Sequence, residues 1–128
     1  MSDLTDFLLD RIAEDETLAV DAEPGPWRLD DVHLPTQLIG ADRDPVIRAA
    51  KGDRDWTFQT SFVAQHVARW DPARVLAECG AKRQIIAKVT EIEYNLGGPW
   101  THAMGDEILA SLAQPYADHP DYREEWQA

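Results

Sequence analysis

The sequence predicts a mainly helical α+β fold with a long central helix and a small antiparallel sheet. Three observations carry that prediction. Apolar residues recur at helical spacing in four separate stretches, the longest opening at Asp71-Pro72. The stretch 27–60 instead breaks into short β-prone runs separated by Pro35, Gly40, Asp42, Asp44 and Gly52-Asp53. With 128 residues, 44% of them hydrophobic and five tryptophans, the chain has the material for one core, so 1–128 is read as a single domain.

The first predicted helix covers 3–20. Leu4, Phe7, Leu8, Ile12 and Leu18 fall near helical spacing, and Ser2 or Asp3 can cap the start. Asp3 and Asp6 suit the positive end of the helix dipole, and Asp10, Glu14 and Asp15 form a solvated face. Glu23-Pro24-Gly25-Pro26 then stops the helix. Four short strands are expected next, at Trp27-Arg28-Leu29, Gln37-Leu38-Ile39, Pro45 to Ala49 and Trp56-Thr57-Phe58. Helical spacing returns over 61–70 with Phe62, Val63, Val67 and Trp70.

Asp71-Pro72 joins a capping residue to a proline at the first helical position and opens the long helix, 72–94. Its stripe is Val75, Leu76, Cys79, Ile86 and Val89, with Ile85 and Ile92 beside it. Asn95 to Pro99 ends it. A further helix covers 101–114, with Met104, Ile108, Leu109 and Leu112 expected inward and Pro115 closing it. The last segment, 116–128, holds two tyrosines and a tryptophan, unlike a disordered tail. Asp118 suits a cap, Pro120 a first turn, and Tyr122 and Trp126 one helix face, so the tail is expected to dock as a helical element.

The net charge is −12 and its distribution is uneven. Residues 1–31 hold ten acids against Arg11 and Arg28, and residues 101–128 hold six acids against Arg123. Residues 32–100 hold eight acids against nine bases. Phosphates would be repelled by the acidic ends, so direct nucleic-acid binding is not expected. The one basic cluster, Arg74, Lys82, Arg83 and Lys88, lies on the long helix. It is a candidate for interaction, or a seat for the acidic ends. Tyr122 and Trp126 are the other candidate interaction residues. No run of eighteen apolar residues occurs and the start is polar and acidic, so neither a membrane helix nor a signal peptide is expected. A lone cysteine, Cys79, fits a reducing cytosol and falls on an apolar stripe, as an inert core thiol would.

Catalytic and cofactor signatures are missing. His33, His66, His102 and His119 lack metal-ligand spacing, and no nucleophile elbow or dinucleotide fingerprint occurs. Gly97-Gly98 lacks the lysine of a phosphate loop. No catalytic residue, metal or cofactor is therefore assigned. Gly25-Pro26-Trp27 and Gly98-Pro99-Trp100 echo each other, and each is expected to aim a tryptophan into the core.

Two segments together resemble a family of small uncharacterised proteins from actinobacteria and their bacteriophages. One runs from Gln65 through Trp70-Asp71-Pro72 to Ile86; the other runs from Leu112 through Tyr116-Ala117-Asp118-His119-Pro120-Asp121-Tyr122-Arg123-Glu124-Glu125-Trp126. The acidic first helix followed by Gly25-Pro26-Trp27 matches the family's general plan. The resemblance implies no activity. Many members carry cysteines between the long helix and the tail, which implies a small metal knuckle. This chain has no cysteine from Tyr94 to Asp106, where Trp100 and Met104 would fill the space by packing.

The function expected is that of a non-catalytic cytosolic accessory protein, phage-encoded or prophage-derived, that contacts an unknown protein partner. Self-association is left open. An alternative is an acidic, nucleic-acid-mimicking inhibitor of a host DNA-binding or defence protein. A third is an enzyme whose site is assembled from His66, Arg69, Asp71 and His119.

Overall fold

A helix opening on a serine and closing before a Pro-Gly-Pro turn begins the chain. In a computed structural model, describing residues 2–30, 37–43, 45–48 and 62–128, this is α1, Asp3–Asp21. Strands β1 (Arg28–Asp30), β2 (Gln37–Ile39) and β3 (Pro45–Arg48) follow, then helices α2 (Phe62–Arg69), α3 (Pro72–Leu96) and α4 (Pro99–Ala113). Two 3-10 turns, Gln114–Tyr116 and Glu124–Trp126, punctuate the tail. The architecture is mainly helical α+β. The expected strand at Trp56-Thr57-Phe58 lies outside the described residues, as do His33 and Gly52-Asp53.

The chain divides into two compact units. The first is formed by residues 2–15 and 78–128. Ser2 caps α1, its Oγ accepting the Thr5 N–H at 3.2 Å. Leu4, Phe7, Leu8 and Ile12 then share one face, and Leu8 and Ile12 have no exposed surface. They form the core with Cys79, Ile86 and Val89 of α3 and Leu109 and Ala113 of α4. The Cys79 thiol is 1% exposed and points at the Ile12 carbonyl at 3.9 Å, the environment of an inert core thiol. Gly97 and Gly98 have φ of 57° and 95°, values that only glycine adopts cheaply, and they turn the chain from α3 into α4. Gly105 faces α3 so closely that a Cβ would sit 3.0 Å from Val89 Cγ1.

The second unit, residues 16–77, holds the sheet. The strands run antiparallel in the order β1-β2-β3, with Leu29 opposite Leu38 and Leu38 opposite Ile47. An irregularity between Leu38 and Ile39 shifts the register toward Pro45. Leu38, Ile39, Ala19 and Ala64 are its buried apolar residues among those described. Leu18, expected on the apolar face of the first helix, is 72% exposed, and its neighbour Ala19 is the buried residue. Asp71 is buried here and uses both oxygens. Oδ1 accepts the Arg74 N–H and Oδ2 the Trp27 N–H, each at 2.8 Å. One carboxylate therefore caps α3 and fixes the segment that enters β1. Trp27 is half-buried, with its indole N–H donated to the Glu23 carbonyl at 2.8 Å.

Candidate interaction surface

Two features of the first unit rise above packing. One is the seat of the tail. Phe7 is ringed by four aromatic groups from the tail, with centroids at 6.4 Å for Tyr116, 5.7 Å for His119, 6.0 Å for Tyr122 and 5.0 Å for Trp126. The predicted helix at 118–126 does not form. His119 donates its N–H to the Tyr116 carbonyl and Tyr122 to that of His119, so two tight turns follow one another, and Arg123 is extended. Those turns let successive rings reach one phenylalanine from several sides. Tyr122 and Trp126 still touch, edge to face at 5.8 Å.

Polar groups hold the same seat. Arg11 is buried on the core side of α1, its Cζ 5.2 Å from the Phe7 ring centre. Its guanidinium donates to Glu14 at 2.9 Å and to the His119 ring, with Nδ1 at 2.8 Å. Tyr116 donates its hydroxyl to Asp15 at 2.6 Å. Burial, reinforced by that carboxylate, pushes the Tyr116 phenol well above its ordinary range. Arg123 pairs with Asp3 at 2.9 Å. These contacts fix a terminal segment. They bring no nucleophile to a base.

The second feature is the outer side of α3 and α4. At 3.6 residues per turn the apolar set of α4, from Trp100 to Ala113, sweeps about 220° of its circumference. Gly105, Leu109 and Ala113 occupy the buried part. Met104 and Ile108 were expected inward with Leu109 and Leu112, but they are 63% and 43% exposed, and Trp100 is 85% exposed. The expectation fails because the α3 and α1 neighbours cover only one side of so wide an arc. Leu112 is half-buried between the two sides. On α3, Ile85 and Ile92 are 40% and 47% exposed and Leu96 is 74% exposed. Leu76, placed on the α3 stripe, is 39% exposed. Between α3 and α4 lies a groove of about 230 Å³, walled by Val89, Ile92 and Leu96 on one side and Met104, Gly105 and Ile108 on the other. A second groove of about 570 Å³ runs between α1 and α3 past Leu9, Arg83, Ile86 and Tyr94.

Each residue of the predicted basic cluster has its own surroundings. Arg74 stacks on Trp70 with Cζ 4.1 Å from the ring centre. Lys82 points at Tyr116, with Nζ 3.4 Å from the hydroxyl and 5.4 Å from the ring centre. Arg83 lines the larger groove. Lys88 pairs with Glu91 at 2.8 Å, an exposed contact that raises the lysine pKa and lowers that of the glutamate. Tyr122 and Trp126 are half-buried against Phe7 and so belong to the tail seat. Of the residues proposed for an assembled enzyme site, Asp71 serves as a cap, His66 lies beside Trp70 at 6.3 Å, and His119 belongs to the tail. Among the described residues no three His, Cys, Asp or Glu side chains are grouped to hold a metal ion. Trp100, expected in the core, is instead among the most exposed large hydrophobic residues of those described. Sequence reasoning missed the open face. Its signal was the strict four-residue spacing of Leu96, Trp100, Met104 and Ile108.

The chain belongs to a family of unknown function (DUF6221), whose family model matches residues 1–128. No curated protein and no solved structure matches it.

Proposed function

We propose that this member of a family without an assigned activity is a non-catalytic accessory protein that works by contacting another protein through the open α3–α4 face. One observation carries the reading. Ile92, Leu96, Trp100, Met104 and Ile108 are exposed side by side on two helices joined by a two-residue turn. Leaving apolar surface in water forgoes about 25 cal/mol per Å². Soluble monomers keep their largest apolar patch to roughly 300–600 Å², and that patch is often functional.

The nucleic-acid-mimic alternative has less support. Three of the α1 carboxylates are engaged within the fold, Asp3 with Arg123, Glu14 with Arg11 and Asp15 with Tyr116. The assembled-enzyme alternative has less still, because both Asp71 oxygens already accept backbone N–H groups. A phage-encoded or prophage-derived origin is supported by the resemblance of the 65–86 and 112–126 segments. A cytosolic place accords with the lone buried thiol of Cys79. Among the described residues no helix is long and apolar enough to cross a membrane.

The test is paired affinity capture from an actinobacterial lysate, using the wild type and the double variant Trp100→Ser/Met104→Ser, with mass spectrometry and two salt concentrations. A partner should be held by the wild type and lost by the variant, while both melt at the same temperature. A partner held equally by both would refute the reading.

A further inference from the structure

We infer that the tail is a pH-sensitive strap, docked while the His119 ring is neutral and released from Phe7 when that ring takes up a proton. The tail meets α1 through side chains. Among the described residues, its backbone hydrogen bonds run to other tail residues or to Gln114 just before them. What joins it to α1 is the ring cluster on Phe7 and three side-chain hydrogen bonds: Arg123 to Asp3, Tyr116 to Asp15 and Arg11 to His119. Only the last involves a residue type that ordinarily changes charge between about pH 5 and 8.

His119 Nδ1 accepts from two donors, Arg11 Nη1 at 2.8 Å and the Asp121 N–H at 3.1 Å. Nη1 also reaches Nε2, so the guanidinium lies against the ring whichever nitrogen carries its hydrogen. A ring protonated on both nitrogens donates from both and accepts from neither. Protonation therefore removes both hydrogen bonds and sets a second cation beside a guanidinium whose side chain is 10% exposed. Arg11 has no spare contact to absorb the loss. Its Nε is buried without a hydrogen-bond partner, and Nη2 is taken by Glu14. The other charged groups facing this pair do not restore the lost acceptor. From α1, Glu14 is 58% exposed and already bonded to Arg11, and Asp15 holds the Tyr116 hydroxyl. From the tail, Asp121 is 77% exposed and 3.9 Å from Nη1, where solvent screens it. Asp118 is also exposed, and Tyr122 turns its ring to Phe7. From α3, Lys82 brings a further positive charge to Tyr116.

A free tail takes up the proton near the ordinary histidine value of about 6.5, and docking opposes that uptake. Docking is therefore strongest above about pH 6.5 and weakens as pH falls below it. Where the docked ring stays neutral, the docking equilibrium drops about tenfold at pH 5.5 and about thirtyfold at pH 5.0. Carboxylates ordinarily titrate near pH 4, below this window.

The experiment is amide hydrogen exchange by NMR on the full chain, with the intrinsic pH dependence of exchange divided out. The reporters are the Tyr122 and Trp126 amides, which donate to the His119 and Arg123 carbonyls within the docked tail. Their protection should fall by up to about thirtyfold between about pH 7.5 and 5.0. Protection at Leu109, 2% exposed in the core, should hold over the same range. His119→Asn and His119→Gln place a neutral acceptor near the Nδ1 and Nε2 positions respectively. The variant that protects the tail at pH 7.5 should protect it equally at pH 5.0. Three results overturn the inference: wild-type protection that does not change, an equal fall in that variant, or an equal fall at Leu109. If neither variant protects the tail at pH 7.5, a neutral acceptor is not what holds it, and the inference falls as well.

Discussion

Phe7 and the tail form one energetic unit, so removing both costs less than the sum of removing each. Phe7 is 7% exposed and touches four rings of the tail. Phe7→Ala leaves a cavity among them, and buried Phe→Ala changes cost about 3–5 kcal/mol. Truncation after Pro115 removes Tyr116, Tyr122 and Trp126, each half-buried and worth about 1 kcal/mol of burial, together with their ring contacts. Part of that is returned as chain entropy, leaving a net loss of about 2–3 kcal/mol. The double change counts the Phe7–tail contacts once, while the two single changes count them twice. The double-mutant cycle should therefore show coupling of about 1–2 kcal/mol, measured by urea unfolding monitored with far-UV circular dichroism. Additivity within about 0.5 kcal/mol would mean that the tail does not stabilise the protein through Phe7, and the argument would fail.

Two further substitutions test other parts of the fold. Asp71→Ala strips two partly buried backbone donors of their charged acceptor, at about 1–3 kcal/mol each, while Asp71→Ser restores the helix cap alone and should recover about 1 kcal/mol. Equal urea midpoints for the alanine and serine variants would show that the cap contributes nothing. Tyr116 tests the alkaline limb. Its folded pKa lies above the unfolded value of about 10, so the unfolded chain loses the proton first and stability falls as pH rises past that point. Tyr116→Phe should flatten the fall between about pH 10 and 12 by up to one proton's worth of slope, measured by urea unfolding across that range. An unchanged slope would place the buried acid elsewhere.

The elements were legible because their ends carry local chemistry. Ser2, Asp71-Pro72 and Gly97-Gly98-Pro99 each act through backbone groups within a few residues, and α1, α3 and α4 begin or end where those signals stand. The strands at 28–30, 37–39 and 45–48 were bracketed by turn residues in the same way. The tail was legible as aromatic and misread as helical. Asp118 and Pro120 can open a helix, yet four rings must converge on one side chain of another element, and tight turns achieve that where a helix cannot. Arg11 was invisible for a related reason. A charge in the core is tolerated only with partners such as Glu14 and His119, and His119 is 108 residues away in sequence.

What periodicity cannot state is how much of an apolar face finds a neighbour inside the chain. It records that Met104 and Leu109 both avoid water, and it places them on one broad arc. Only the packing shows that Leu109 is 2% exposed while Met104 is 63% exposed. For most surface helices the apolar arc and the buried arc coincide, because selection for solubility trims the excess. On α4 they do not coincide, and the excess is ordered. Trp100, Met104 and Ile108 repeat every four residues and continue the line of Ile92 and Leu96 across the Gly97-Gly98 turn. Random drift would scatter exposed apolar residues singly. On the proposed reading, a stripe that spans two helices and keeps its register through a glycine turn is the surface a protein partner covers.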